Sequence, residues 1–318
     1  MSGAGDPLRF GAQLWSQQTT WPEFRDSALA AEANGWDSVW TWDHLLAIFG
    51  PWEQPIFEGW SLLTAVGAVS SKLRLGLMVG ANTFRNPGLT AKLATTLDHV
   101  SGGRAVLGIG GAWFEREHEA FGFSETWGSG FGERLDRLDE SVMLLRRLLD
   151  GEEIAEHEGR FYTMRDALVA PRPVQAHLPI LVGGSGPTKT LRTVAARADA
   201  WNTSGTIDEV RAKLATLDEH CAAVGRDRSE LELTVSFPIT IRDEIGAAEA
   251  AARERFRANG VENAGPGPHL AGPPTLVADA IAPYRDLGFG TVIARLPAPF
   301  DRETIDRMPD VWGLLAAG

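Results

Sequence analysis

Short apolar runs alternate with amphipathic stretches eight times along the chain. The runs cover 10–14, 38–42, 73–79, 105–109, 180–182, 200–203, 231–237 and 291–296. They are rich in Val, Ile, Leu and Trp and show little polar–apolar alternation. Strands covered on both faces, as in a parallel sheet wrapped by helices, have this pattern. The stretches between them carry helix signals. In WPEFRDSALAAEANG, Pro22 stands in a first turn, apolar residues recur at helical spacing, and Gly35 supplies the stop. NPGLTAKLATTLDHVSGG begins on Pro87 and ends on paired glycines, and GPTKTLRTVAARA and TIDEVRAKLATLDEHCAAVG follow the same plan. Eight strands alternating with helices predict a parallel sheet. The count of eight predicts closure into a (β/α)8 TIM barrel, in place of an open doubly wound sheet of six or seven strands.

Two connections exceed one helix, 111–177 and 238–290. The first contains EHEGRFYTM, which reads as a short β excursion. Both follow the C-terminal ends of strands, where barrel active sites form. They are read as insertions that wall a substrate pocket, so residues 1–318 form a single domain. The heptapeptide MSGAGDP and the Gly/Pro-rich stretch 265–274 are expected to lack order.

Composition narrows the function classes. The net charge of -12 disfavours nucleic acid and anionic membrane partners, since both need a positive face. The single cysteine, Cys221, excludes an intrachain disulfide and fits a reducing cytoplasm. No signal-peptide pattern opens the sequence, and no apolar run approaches the ~20 residues of a membrane span.

Chemistry in a barrel collects at strand ends. The strand-two run GWDSVWTWDHL ends on Asp43–His44, and strand one ends at Gln13 and Trp15. In VGGSGPTKTL, three glycines follow a strand and open a helix, so backbone N–H groups there suit an anion. The GIGGAW segment has the same character and lets a flat ligand approach closely. It lacks the register of a dinucleotide fingerprint, and no Gly-Lys-Ser/Thr marks a P-loop. The seven histidines show no H-x-H or H-x-x-x-H spacing, so no metal site is expected. There is no G-x-S-x-G elbow, and Lys72, Lys92, Lys189 and Lys213 all fall on helices or their edges. With so few strong chemical groups, the chain points toward a bound cofactor.

The segments GWDSVWTWDH, RNPGLTAKLATTLDHVSGGRAVLGIGGAWFEREHEAFG, GERLDRLDE and PILVGGSGPTKTLRTVAARADAWN resemble the luciferase-like monooxygenase superfamily, in particular its F420-dependent oxidoreductase branch. The resemblance is dense over 10–202 and weak afterwards. It implies a (β/α)8 barrel holding a deazaflavin or flavin ring at its C-terminal mouth. It further implies a strand-three bulge at Met78, Val79 and Gly80, often with a non-prolyl cis peptide. His44 matches the histidine that lies close to the ring's reactive carbon, with Asp43 preceding it. Asn82, Gly110, Gly111 and Trp113 are implied to contact the ring or its side chain. Arg134 is implied on the phosphate side, and Gly183, Gly184, Ser185 and Gly186 in the phosphate cradle. Glu117 and His118 are assigned to orienting the loop, Arg85 to a pair within the fold, and Gln13 and Trp15 to the substrate.

The implied reaction is hydride transfer between F420 and a small organic substrate, with His44 handling the accompanying proton. The alternative is an FMN-dependent monooxygenase with a separate reductase; a third class is a non-catalytic flavin-binding relative, or a scaffold that lost the cofactor. F420 carries a glutamate tail that needs a basic exit path; Arg165, Arg172, Lys189 and Arg192 are the candidates for it, and they fit solvated helix charges equally well. Aromatics at Trp15, Trp42, Phe49, Trp52 and Trp113 suggest an apolar or planar substrate. A homodimer is implied by the resemblance alone.

Overall fold

The computed structural model describes residues 8–262 and 267–317. The N-terminal heptapeptide and the start of the 265–274 stretch lie outside them. Eight strands form the barrel: β1 (Arg9–Leu14), β2 (Ser38–Thr41), β3 (Arg74–Leu77), β4 (Ala105–Gly110), β5 (Ile180–Gly183), β6 (Ala200–Thr203), β7 (Glu232–Ile241) and β8 (Thr291–Leu296). Each pairs in parallel with the next, and β8 returns to β1 along its whole length. The sheet is therefore closed, as the strand count predicts.

The eight outer helices are α1 (Trp21–Ala33), α2 (Gly59–Val69), α3 (Pro87–Ser101), α4 (Phe131–Leu149), α5 (Thr190–Arg197), α6 (Ile207–Ala223), α7 (Pro274–Asp286) and α8 (Arg302–Ala317). Their ends follow capping chemistry. Thr20 and Glu23 close a capping box ahead of α1, and Asn86 caps α3 by accepting from the Leu89 amide. Gly102 ends α3 in the left-handed region.

Two strands depart from the predicted limits by more than one residue. The 73–79 run stops as a strand at Leu77, and after a break Gly80–Ala81 resumes pairing with β4. The 231–237 run extends to Ile241, because Leu270–Gly272 pairs with its far end. The described part of the 265–274 stretch thus contains a strand and the start of α7, against the expectation of disorder. EHEGRFYTM spans an antiparallel hairpin, Ile154–Glu158 with Thr163–Ala167.

Side chains alternate across the barrel wall. Phe10, Ala12, Leu14, Val39 and Leu75 point outward and join the helices in the main core. Trp40, Met78, Val106, Leu181, Ala200 and Ile293 form a separate cluster inside the barrel. Trp40 is too large for an ordinary barrel layer, and its neighbours in register give way. Gly76 lies directly beside it on β3; a Cβ there would stand 2.5 Å from the indole ring and 2.8 Å from the Val106 carbonyl. The indole Nε1 is satisfied by donating to Ser38 Oγ at 2.8 Å.

Gly76→Ala is expected to lose about 1–3 kcal/mol by overpacking. In a Trp40→Phe background, urea unfolding should show a smaller loss from the same change. Strict additivity of the two substitutions would contradict this packing.

Candidate active site

Asp43 and His44 follow β2 at the C-terminal mouth, and each is held by a different part of the chain. Asp43 is buried, and its carboxylate is fully engaged. It accepts from both Arg85 terminal nitrogens, at 2.7 and 3.0 Å, and from the Ala81 amide at 2.8 Å. Arg85 also donates to Glu58 at 2.9 Å, and Glu58 caps α2 through the Trp60 and Ser61 amides. Burial works against the Arg85 charge, but Asp43 and Glu58 outweigh it and hold the guanidinium protonated. Arg85 therefore pairs within the fold, as expected, and Asp43 ties β2 to the segment following β3.

That segment is the predicted bulge. Met78–Val79 is a cis peptide bond, and the Met78 carbonyl accepts from the Gln13 side chain at 3.1 Å. Val79 projects between β4 and β5. A Cβ on Gly110 or on Gly183 would each come within 2.7 Å of a Val79 methyl. These two glycines make room for the bulge itself, not only for a ligand, as GIGGAW was read to do.

His44 Nδ1 lies 2.8 Å from Glu117 Oε1, and Glu117 Oε2 accepts from the Leu45 amide at 2.8 Å. Since a carboxylate only accepts, Nδ1 carries a proton, and Nε2 makes no hydrogen bond among the described residues. Glu117 is 1% exposed and comes from an insertion helix, Glu115–Phe121. It is the site residue whose specific role sequence reasoning missed. One buried acid in the run EREHE looks like a solvated helix start, and its partner lies 73 residues away.

The neighbouring His118 turns the other way. Its Nδ1 donates to the Phe114 carbonyl at 2.9 Å, and its Nε2 accepts from the Thr83 hydroxyl at 2.6 Å. Burial, aided by the charges of Arg134 and His44, lowers its pKa and favours the neutral ring. His118 thus docks the insertion helix on the loop after β3, which fixes Glu117 behind His44.

Around these residues lies a cavity of about 320 Å³. Asp43, His44, Met78, Val79, Gly80, Gly110, Gly111, Trp113, Gly183 and Gly184 all line it, together with Glu117, Ala112, Phe131 and Ile48. Of the other predicted contacts, Asn82 turns to the Tyr162 hydroxyl at 3.2 Å. Arg134 stacks on Trp127, with its guanidinium carbon 3.6 Å from the ring centre, and neither residue lines the cavity. Ser185 and Gly186 continue from the cavity wall. The Ser185 hydroxyl meets Thr203 at 2.9 Å, while the amides of Ser185 and Gly186 donate to no backbone acceptor among the described residues. Gln13 and Trp15 line an adjoining cavity.

The expected basic exit path does not form as drawn. Arg165 pairs with Glu156 and Glu158, Lys189 with Asp136, and Arg172 bonds the Gly151 carbonyl. Three of its four cations are already spent on local acceptors. Among the described residues no group of three His, Cys, Asp or Glu is placed to hold a metal, and no helix is long and apolar enough to cross a membrane.

The profile of the luciferase-like monooxygenase family matches residues 5–291. The F420-dependent glucose-6-phosphate dehydrogenase of Microbacterium testaceum is 32% identical over 251 residues, covering 76% of this chain and 71% of that protein. The enzyme of the same name from Kineococcus radiotolerans is 33% identical over 261 residues, covering 79% and 73%. Among solved structures, an F420-dependent secondary alcohol dehydrogenase in complex with an F420-acetone adduct superposes with a TM-score of 0.82. It covers 96% of this chain and 98% of that one at 19% identity, a likeness of fold.

His118 gives a pH prediction. Its folded pKa is depressed, so below ~6.5 the unfolded chain binds more protons than the folded one. The stability it contributes is complete above that pH and is lost as pH falls. His269 is lowered in the same direction by burial, so His118→Gln should reduce, without abolishing, the stability difference between about pH 7.5 and 5.5. An unchanged difference in urea midpoint would contradict the assignment.

Proposed function

This chain belongs to the luciferase-like monooxygenase family, and on that ground we propose that it is an F420-dependent oxidoreductase acting on a small organic molecule. One observation carries the reading. A histidine with a free ring nitrogen stands at the mouth of a closed barrel, backed by a buried carboxylate, in a chain whose relatives bear F420-dependent names.

The residues fit a flat ring with a phosphate-bearing side chain. Val79, Gly80, Gly110, Gly183 and Gly184 give the cavity a floor with little side-chain bulk, and His44 and Trp113 stand on its wall. The two unbonded amides at Ser185 and Gly186 offer donors to an anion where the glycine loop meets α5. When bound, the deazaflavin supplies a carbon centre that accepts or releases a hydride. Everything else falls to the chain.

The Glu117 carboxylate fixes the His44 ring and stabilises it when it becomes cationic. His44 Nε2 then takes the substrate proton as the hydride leaves, or returns it in the reverse direction. Trp42, Trp113 and Phe131 narrow the mouth and limit water. FMN use as an oxygenase is the rival, but no residue here favours it over the two-electron reading.

The test is turnover followed by the deazaflavin's visible absorbance, with sugar phosphates, secondary alcohols and hydroxy acids offered to the F420-loaded enzyme. His44→Ala should bind F420 as the wild type does and lose about 10²–10⁴ in kcat. An unchanged kcat would remove His44 from the reaction. Glu117→Gln should also spare F420 binding, but lower kcat and displace the acid limb of its pH profile; loss of kcat with an unmoved profile would make Glu117 merely structural.

A further inference from the structure

A second cavity, of about 240 Å³, adjoins the first and shares Trp42, Ile48, Met78 and Asn202 with it. Its additional walls are Trp15, Phe49 and Pro238 on the apolar side and Gln13, Ser236 and Arg295 on the polar side. Trp15 stacks on Phe49 with ring centres 4.7 Å apart and tilts against Trp42 at 4.5 Å. The Gln13 and Asn202 amide nitrogens donate to the Met78 carbonyl and the Thr234 hydroxyl respectively, and the Ser236 side chain adds a hydroxyl to the lining.

One charged side chain lines this space, Arg295. It lies on β8 two residues beyond Ile293, which belongs to the barrel interior, so it shares that inward face one layer nearer the mouth. In register it faces Gln13 on β1 and Pro238 on β7. Among the described residues no carboxylate pairs with Arg295, and its Nε is buried with no acceptor. Asp301 shares a small neighbouring cavity with it, but that acid is held by Arg242 at 3.0 and 3.1 Å and by Arg255 at 3.1 Å. Trp15 adds a second buried donor without an acceptor, its indole Nε1.

Burial pushes the Arg295 guanidinium down to about 10, so it stays charged at neutral pH. A largely buried cation with no counter-charge is costly for a fold to keep. It becomes intelligible if the ligand brings the missing charge. One guanidinium balances one negative charge, and its planar fork matches the two oxygens of a carboxylate. The aromatic face of Trp15, Trp42 and Phe49 suits a flat apolar body.

We propose that Arg295 anchors the substrate through a single carboxylate, and that the substrate class is a monocarboxylic acid with a flat apolar body. This deepens the oxidoreductase reading and rests on it for the reaction, though not for the binding. The test therefore uses apo-protein. Quenching of tryptophan fluorescence is followed with benzoate, with its neutral isostere benzamide, and with inorganic phosphate. Wild-type protein should bind benzoate about 10-fold to 100-fold more tightly than benzamide. Arg295→Met should erase that difference, and Arg295→Lys should keep part of it.

Equal binding of benzoate and benzamide by the wild type would overturn the proposal, even if both variants fail to fold. So would Arg295→Met with benzoate binding intact, or inorganic phosphate displacing benzoate at lower concentrations than benzoate itself needs. A parallel titration with F420 reads the cofactor assignment separately. F420 binding without carboxylate preference defeats this inference alone, and carboxylate preference without F420 binding defeats the proposed function.

Discussion

The Asp43 carboxylate is the point on which the mouth depends. It is buried at the end of β2 and joins three parts of the chain that are distant in sequence. Through Arg85 and the Ala81 amide it fixes the segment that follows the β3 bulge. Through the same Arg85 it reaches Glu58 and the start of α2. A buried ion pair of this kind is worth little as net stability, because desolvation offsets its attraction. Its value lies in position. With both partners present there is one arrangement that satisfies every charge, and that arrangement sets the bulge beneath the cavity and His44 beside it.

The proton-handling part of the site is built the same way, from outside the strand that carries it. His44 is delivered by β2, but its ring is oriented by Glu117 from the first insertion. Glu117 is held in turn because the adjacent His118 docks on Thr83 and Phe114. Two consecutive residues of one short helix thus face opposite partners, one catalytic in the proposal and one structural. The insertions read from sequence as pocket walls also supply a positioning group.

Sequence legibility followed the range of the interactions. The barrel strands were readable because burial on both faces leaves a local signature, and two of them, 200–203 and 291–296, match their observed limits. Limits failed where a non-local partner intervened. β7 outran its apolar run because Leu270–Gly272 pairs with its end, and β3 stopped short where the bulge begins. The glycines and His44 stood out by residue type and position. Glu117 and the unpaired state of Arg295 did not, because each depends on what other segments bring or fail to bring. The basic path failed for the same reason, since the acids that neutralise Arg165 and Lys189 are invisible to a count of cations.

The central claim is that this mouth is built for a deazaflavin and for hydride chemistry. The most direct measurement is a competitive titration of apo-protein with F420 and FMN, followed by quenching of tryptophan fluorescence, with Trp42 and Trp113 on the cavity wall as the reporters. The account predicts saturable F420 binding that a tenfold excess of FMN does not displace. Tight FMN binding that excludes F420 would contradict it, and would leave His44 and Glu117 in need of another role.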